Sequence, residues 1–252
     1  MSPDNVSGAN ANANANASTR KGGTVQRILA AARQEFSDKG FDAARLESIA
    51  RAACVTKQLV HHYFRSKDEL YRIVFDTVAR SVLPLLEESQ YRMLAPVDAI
   101  RLLVNRIIDL HLEKPGVTTF TLDQGLHRGA HIDAQTCFVP LTREFIHNVI
   151  APILKRGAEA GVFRTGVDPT LFYATTFHVA SGCFLMGPAM TQTIGIRFDT
   201  PEGVAVWRAH ATDFVLAALR AAEPAKLARP ARQPARRPAM RRRPVASRRS
   251  GT

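Results

Sequence analysis

The side chains with the clearest chemical use lie between residues 56 and 62. Residues three and four apart share a helical face, so Lys57, Gln58, His61 and His62 point outward together when their apolar neighbours point inward. A lysine can donate to O6 and N7 of guanine, and a glutamine can bond N6 and N7 of adenine. This polar, basic face is typical of a helix that reads base edges in a DNA major groove.

Two neighbours of that face have more than one possible role. Thr56 stands where it can cap the helix and offer its hydroxyl to a phosphate, whereas Leu59 either packs inward or touches a thymine methyl group. Each good base contact would contribute about 1–3 kcal/mol of discrimination, while phosphate contacts position the module without selecting a sequence. The alternative is a small helical bundle with a solvated polar face.

Histidines are the other candidates for chemistry. His127 and His131 lie one helical turn apart and Cys137 follows nearby, but the clustered carboxylates or additional cysteines of a metal site do not accompany them. We therefore expect solvated or core histidines, and predict no metal site and no cofactor. The sequence also lacks a nucleophile elbow and a phosphate loop, so we predict no catalytic residue and no enzymatic activity.

Helical spacing of apolar residues predicts the elements that position the polar face. One amphipathic helix includes Val25–Phe36, a second Leu46–Ala53 and a third Val55–Phe64, with a short turn between the last two. A capping box at Ser66–Glu69 starts a fourth helix that should run to about Leu83. The second and third helices form a helix-turn-helix, and the first three are expected to need the fourth to complete a core.

The remainder of the chain also has a helical pattern, so the predicted fold class is all-α. The predicted helices of this body are Val97–Glu113, Thr118–Gly129, Pro140–Gly157, Pro169–Met186 and Pro201–Ala222. We predict a disordered leader at residues 1–19, a helix-turn-helix domain at 20–83, a larger helical domain at 84–223 and a disordered Pro/Arg-rich tail at 224–252.

Positive charge is concentrated in two parts of the chain, whose net charge is +12. Residues 20–80 contain twelve basic and seven acidic residues, and residues 224–252 contain ten basic and no acidic residues. This distribution favours nucleic acid as a partner. The tail either strengthens nonspecific DNA binding or is a solubilising extension. A nonspecific, nucleoid-type DNA-binding protein is therefore the alternative to a sequence-specific regulator, and a helical enzyme is a weaker one.

Cellular location is indicated by what the sequence contains and omits. The three cysteines lack CxxC spacing and fit a reducing compartment, and no signal-peptide pattern is evident. The most apolar segment, Leu171–Met190, is interrupted by His178, two glycines and Pro188, so it falls short of a membrane span. We expect a cytoplasmic, nucleoid-associated protein without a membrane partner.

Residues 24–70 resemble the DNA-binding domain of the TetR/AcrR family of transcriptional regulators. The matching segments are Ile28–Ala32, Phe36, Lys39–Phe41, Ile49–Ala50, Ala53–Lys57, His62–Phe64 and Ser66–Leu70. The residues that the resemblance places at DNA are Lys57, Gln58, Leu59, His61 and His62, with Tyr63 and Lys67 on phosphates and Arg45 at the start of the second helix. Cys54 stands where the family usually has glycine, and it fits only with a negative φ or tolerated strain.

The resemblance also implies a homodimer that binds double-stranded DNA at a palindromic or near-palindromic operator, usually as a repressor. A small-molecule effector would bind residues 84–223 and shift the DNA-binding heads through the fourth helix. The candidate pocket residues are Phe120, Leu126, His127, His131, Phe145, Phe177 and His178. The candidate dimer contacts are Leu171, Phe172, Thr175, Trp207, Ala211, Phe214 and Val215, each of which could instead fill the core.

Overall fold

The computed structural model describes residues 7–82, 87–114, 116–132 and 136–220, and within them the fold is all-α, as predicted. The helices are α1 (Ser7–Ala43), α2 (Leu46–Ala52), α3 (Lys57–Tyr63), α4 (Lys67–Arg80), α5 (Glu88–Arg92), α6 (Pro96–Glu113), α7 (Gly116–Leu126), α8 (Phe138–Phe145), α9 (Ala151–Glu159), α10 (Pro169–Leu185), α11 (Gly187–Ile194) and α12 (Pro201–Leu219). A π-helical turn, Ile146–Ile150, joins α8 to α9.

The first four helices pack around one apolar core. Its fully buried side chains include Ile28, Phe36, Ile49, Val60 and Leu70. Both α2 and α3 have seven residues, too few to be stable alone, so packing rather than helix propensity holds them. Leu110, Val117 and Phe120 complete this N-terminal core from α6 and α7. The helix-turn-helix unit therefore depends on the body as well as on α4.

A second core fills the body between α5, α6, α8, α9, α10 and α12. The stripe that α6 buries in it comprises Ala99, Ile100, Leu103, Val104, Ile107 and Ile108. These residues recur at three- and four-residue intervals, as a helix packed on one face requires. Since Leu110 lies near the end of the same helix, α6 contributes to both cores.

The first helix begins earlier than the sequence predicts. We expected disorder over residues 1–19, but α1 runs from Ser7, and residues 1–6 lie outside the described part of the chain. Alternate residues from Ala9 to Ala17 are alanine, the best helix former, and extending an existing helix avoids the cost of a new nucleus. The leader is thus an extension of α1 from residue 7 onward.

Other boundaries differ for local reasons. The short helices α5 and α11, of five and eight residues, were not predicted because their periodicity is too brief to detect. The predicted helix Pro140–Gly157 is divided by the π-helical turn just before Pro152, which lacks a backbone donor and disturbs the preceding turn. The predictions for residues 224–252 fall outside the described residues.

Candidate DNA-binding surface and ligand cavity

The third helix presents its polar residues to solvent. Thr56 caps it, since its Oγ1 accepts a hydrogen bond from the backbone N–H of Leu59 at 3.2 Å. Val60 is fully buried and Phe64 nearly so, which leaves the opposite side of the helix free. That side carries Lys57, Gln58, His61 and His62, all of them exposed, as the helical spacing predicts. Leu59 is only partly buried, so neither of its two predicted roles is excluded.

Lys57 is held by a neighbour on the preceding helix. Its ammonium group donates to Glu47 on α2, and this hydrogen bond is the main reason that the pKa of the Glu47 carboxyl lies below its usual value. Both side chains are about half exposed, so the pair is screened by solvent and contributes little to stability. A guanine contact by Lys57 therefore exchanges one charge-assisted hydrogen bond for another.

The turn between α2 and α3 is a Schellman motif. Cys54 N–H donates to the carbonyl of Arg51 at 3.1 Å, and Val55 N–H donates to the carbonyl of Ala50 at 3.0 Å. This pattern requires a left-handed residue after the helix cap, and Cys54 supplies it with φ of 54°. Of the two ways in which a cysteine could replace glycine here, the chain adopts the strained one.

Lys67, which the resemblance places on a phosphate, is held by backbone carbonyls in this structure. Its Nζ donates to the carbonyl oxygens of Phe41 at 2.9 Å and of Asp42 and Ala44 at 3.3 Å each, and it lies 4.5 Å from the centre of the Phe41 ring. An ammonium group has three donors. All three of them are used by the segment from Phe41 to Ala44, which follows the non-helical Gly40 near the end of α1, and they tie this segment to the start of α4.

The other predicted phosphate contacts remain accessible. Arg45 is exposed at the N-terminus of α2, where its backbone N–H donates to Glu35 Oε1 at 3.2 Å while its guanidinium faces solvent. Tyr63 is partly buried and its ring lies edge-on to that of His62, with centroids 5.3 Å apart. Arg27, which the sequence analysis did not select, donates to the carbonyl of Ala53 at 3.2 Å and ties α1 to the turn.

A buried carboxylate joins the DNA-binding helices to the body. Oδ2 of Asp123 on α7 accepts hydrogen bonds from Phe41 N–H at 2.8 Å and from the Tyr71 hydroxyl at 3.0 Å. Burial and the adjacent carboxylate both raise the pKa of Tyr71, which keeps this phenol protonated as a donor. A Cβ at Gly40, whose φ is 72°, would lie 2.9 Å from Asp123 Oδ1, so the chain also needs glycine there.

The contacts of Asp123 with Phe41 and Tyr71 form the junction between the DNA-binding helices and the body. Two of the predicted pocket histidines, His127 and His131, lie beside this junction. His127 Nε2 is 3.5 Å from Asp42 Oδ2, and His131 Nδ1 is 4.0 Å from Asp68 Oδ1, so each pair becomes an ion pair only when the imidazole is charged. Burial lowers the pKa of His131, with the neighbouring His127 acting in the same direction. Both rings pack on Phe41, which places them beside α1.

An apolar cavity of about 180 Å³ lies between the two cores. The fourth helix lines it with Phe75, Val78 and Ala79, and α6, α7, α8 and α10 supply most of the remainder. Three of the predicted pocket residues, Phe120, Phe145 and Phe177, line it. Leu126 is 72% exposed, and His178 is exposed with its Nδ1 bonded to the carbonyl of Ala174 at 2.7 Å. Neither of these two, nor His127 or His131, lines this cavity.

Sequence reasoning missed the polar residues of the cavity. These are Tyr91, Arg106, Thr121, Gln124 and Tyr173. Burial raises the pKa of Tyr91 and of Tyr173 to about 12, so both phenols remain neutral hydrogen-bonding groups. A signal for Arg106 was present, because this charged residue stands three residues after Leu103 and next to Ile107, at the edge of the apolar stripe of α6.

Two family models match the chain over both parts just described. The model described as bacterial regulatory proteins, tetR family, matches residues 28–74, and the model described as the tetracyclin repressor-like C-terminal domain matches residues 96–215. The chain belongs to the TetR family. The resemblance seen in residues 24–70 is thereby confirmed, and this TetR-family chain is a helix-turn-helix, DNA-binding transcriptional regulator.

Individual relatives agree with the family models. The HTH-type transcriptional repressor NicS of Pseudomonas putida is 26% identical over 200 residues, which cover 78% of this chain and 92% of that protein. The putative transcriptional regulator SCO4942 from Streptomyces coelicolor has 23% identity and a TM-score of 0.58, covering 78% of this chain and 98% of that one. FadR from Bacillus subtilis, solved with stearoyl-CoA, has 15% identity and a TM-score of 0.59, covering 78% and 100%. These structures share the TetR-family fold.

The predicted dimer contacts of this TetR-family chain divide into two groups. Phe172, Ala211 and Val215 are buried in the body core, so for them the core alternative is correct. Trp207 packs against the same core and donates from Nε1 to the carbonyl of Ala180 at 3.2 Å. The remaining three are exposed, namely Leu171 and Thr175 on α10 and Phe214 on α12.

Two properties of the body complete the description. His111 is buried, with Nδ1 2.8 Å from Thr118 Oγ1 and Nε2 2.9 Å from Ser181 Oγ, and burial lowers its pKa to about 4. It is therefore a neutral core histidine. Among the residues that the structure describes, no helix has the length and apolar character that crossing a membrane requires.

Proposed function

We propose that this TetR-family chain is a homodimeric repressor that binds a palindromic or near-palindromic operator and leaves it when a small molecule enters the cavity. The observation that carries the proposal is the position of α7. This helix lines the cavity with Phe120, Thr121 and Gln124, and its Asp123 holds the DNA-binding helices. Repression and a ligand are supported by the names of NicS, a transcriptional repressor, and of FadR, solved with stearoyl-CoA.

The exposed face of α3 is proposed to read the operator. Lys57, Gln58, His61 and His62 would enter the major groove, with Leu59 at its edge against a thymine methyl group. Phosphates would be held by Arg45, Thr56 and Tyr63, which border this face. Lys67, which the resemblance also places on a phosphate, would have to give up hydrogen bonds to backbone carbonyls to reach one.

Dimerisation is proposed to use the exposed rows of α10 and α12. A seven-residue reading helix makes few base contacts, so two heads are needed for useful selectivity. Leu171 and Thr175 share one exposed face of α10, while Val206 and Phe214 share one of α12. Phe214 and Val206 are more than half exposed, and a partner that covers them would remove their apolar surface from water.

Coupling between ligand and DNA is proposed to run through α4 and α7 together. Gln124 lines the cavity, and its amide nitrogen donates to the Tyr71 hydroxyl at 3.4 Å. The Tyr71 hydroxyl in turn donates to the carboxylate of Asp123. A ligand that displaces α7 would thus shift both Tyr71 on α4 and the end of α1. Release requires the ligand to bind more tightly to one of the two arrangements, since equal affinity shifts nothing.

The test is selection of bound DNA from a random pool by the purified full chain. The expected result is an enriched sequence with two related half-sites, to which the chain binds at least a thousandfold more tightly than to random DNA at the same salt. Equal affinity for random duplexes would instead support the nucleoid-type alternative. A small molecule that binds the chain without changing operator affinity would contradict the release mechanism.

The basic tail is proposed to add nonspecific affinity to this regulator. Each phosphate that it neutralises adds about 0.9 to the slope of log K against log salt. Removal of residues 224–252 should therefore reduce both affinity and salt dependence on any DNA, without changing the preferred sequence. If affinity and slope are unchanged in the shortened chain, the segment is a solubilising extension.

A further inference from the structure

We propose that the effector is a small carboxylate with a compact apolar body, bound with its anionic group on Arg106 and its body among the aromatic rings of the cavity. The inference rests on the proposed ligand-responsive function and adds the chemical class of the ligand. It is carried by the shape and lining of the cavity and by the state of Arg106 within it.

The charge of the cavity is unbalanced. Arg106 is its charged lining residue, and no aspartate or glutamate is found in the lining among the described residues. Its Nη2 donates to Gln90 Oε1 at 3.2 Å, but its Nε is buried and has no hydrogen-bond partner in the described part of the chain. A guanidinium group that loses water without gaining an anion is poorly compensated. A carboxylate is the group that best matches its donors.

A second unpartnered atom lies in the same lining. Oε1 of Gln124 is buried and accepts no hydrogen bond within the described residues, while the amide nitrogen is directed to Tyr71. An acceptor left open in this way would suit a ligand hydroxyl or ring N–H. Gln124, which would accept a hydrogen bond from the ligand, thus also contacts Tyr71, the hydrogen-bond partner of Asp123.

The size of the cavity limits the body of the ligand. Its volume is about 180 Å³, and apolar cavities of about 150 Å³ bind benzene. The cavity is lined by the rings of Phe75, Phe120, Phe145 and Phe177, which suit edge-on or offset contacts with another ring. A monocyclic aromatic acid or a short alkanoic acid fits this volume, whereas a long acyl chain requires the cavity to expand.

The experiment compares acids with their amides on the full-length protein. Benzoate, phenylacetate and hexanoate would be titrated calorimetrically beside benzamide, phenylacetamide and hexanamide, which match them in shape and lack the charge. We expect at least one acid to bind at least tenfold more tightly than its amide. In Arg106→Met the preference should fall to within about twofold. Arg101→Met, an exposed arginine on the same helix, should leave it unchanged.

Folding and DNA binding are measured on the same samples. Arg106→Met should melt as cooperatively as the parent and bind operator DNA, because it replaces a charged chain by an apolar one of similar length; Arg106→Lys serves as a second variant that retains the charge and part of the preference. The proposal is overturned if all acids fail to bind a chain that still binds DNA, or if acid and amide bind equally to the parent. Equal preference in parent and Arg106→Met also overturns it. If only an amide binds tightly and releases the DNA, the proposal that the ligand is a carboxylate is overturned, whereas ligand-controlled repression still stands.

Discussion

The exposed face of α3, called the reading face, and the cavity are proposed to bind their partners by opposite means. The face of α3 is exposed, polar and built from one short segment, so it can gain affinity for a polyanion only by adding many weak, screened contacts. The cavity is apolar and enclosed by at least five helices, with its charge on Arg106. There a single ion pair has a large effect, because little water screens it.

Because of this difference, substitutions in the two regions should affect different properties of the protein. A substitution on the reading face should alter which DNA is bound and how binding depends on salt, with little effect on folding. A substitution at the junction or in the body should alter stability and the response to ligand. Asp123 is the point at which the two regions meet, because it contacts α1 and α4 from a helix that lines the cavity.

The largest effect is expected from Asp123→Ala, which would separate the two regions. It leaves the Phe41 N–H and the Tyr71 hydroxyl without their buried acceptor, at about 1–3 kcal/mol for each group, so the free energy of unfolding should fall by about 4 kcal/mol. Urea unfolding measures the loss. Asp123→Asn retains a carbonyl oxygen and should lose clearly less. If both variants are as stable as the parent, the junction does not join the two regions.

Acid should weaken the body through His111. Because burial lowers its folded pKa from 6.5 to about 4, the unfolded chain binds a proton first, and stability present above pH 6.5 is lost as the pH falls towards 4. The contribution is about 3 kcal/mol at 1.36 kcal/mol per pKa unit. Unfolding free energies at pH 7.5 and pH 4.5 should differ less in His111→Gln than in the parent. The control is His178→Gln at an exposed position, which should show the same difference between the two pH values as the parent. If His111→Gln also shows the parent's difference, the acid sensitivity belongs to another group.

Substitutions of two lysines near the DNA-binding surface should distinguish a side chain that contacts bases from one that stabilises the fold. Lys57→Ala should cost about 1–3 kcal/mol of operator affinity and relax the preference at one half-site position, with stability almost unchanged. Lys67→Ala should instead lower the free energy of unfolding, because the carbonyls of Phe41, Asp42 and Ala44 lose their donor. Binding to a set of single-base operator variants and urea unfolding separate these outcomes. A steep loss of DNA affinity without a loss of stability in Lys67→Ala would show that Lys67 contacts a phosphate, as the resemblance implies.

The smallest effect concerns the turn that joins α2 to α3. A non-glycine residue in the left-handed region costs about 1–2 kcal/mol, so Cys54→Gly should raise the free energy of unfolding by about 1 kcal/mol and leave operator preference intact. Cys54→Ser keeps the strain and serves as the matched control in thermal melting. Destabilisation of the glycine variant would show that the thiol side chain contributes more than its backbone costs.

The local sequence predicts the exposed face of α3 but not the residues that line the cavity. The side chains of Lys57, Gln58, His61 and His62 share a face because helical spacing alone decides it. Thr56 caps the helix as predicted, since a cap depends on residues three positions apart. In the effector region, by contrast, the prediction selected aromatic and histidine residues by type, and His127 and His131 proved to lie at the junction instead.

Some features of the protein depend on contacts between residues that are distant in the sequence. The sequence alone predicts an all-α chain and the cap of α3, because both follow from spacing within about one or two helical turns. The positive φ of Cys54, one of two possibilities that the sequence left open, is a finding of the structure. Only the tertiary structure decided that Lys67 holds the end of α1, that Phe172 and Ala211 fill the core, and that Arg106 enters the cavity. These outcomes require helices distant in sequence to meet, and the burial and hydrogen-bond partners that result are properties of the packed chain.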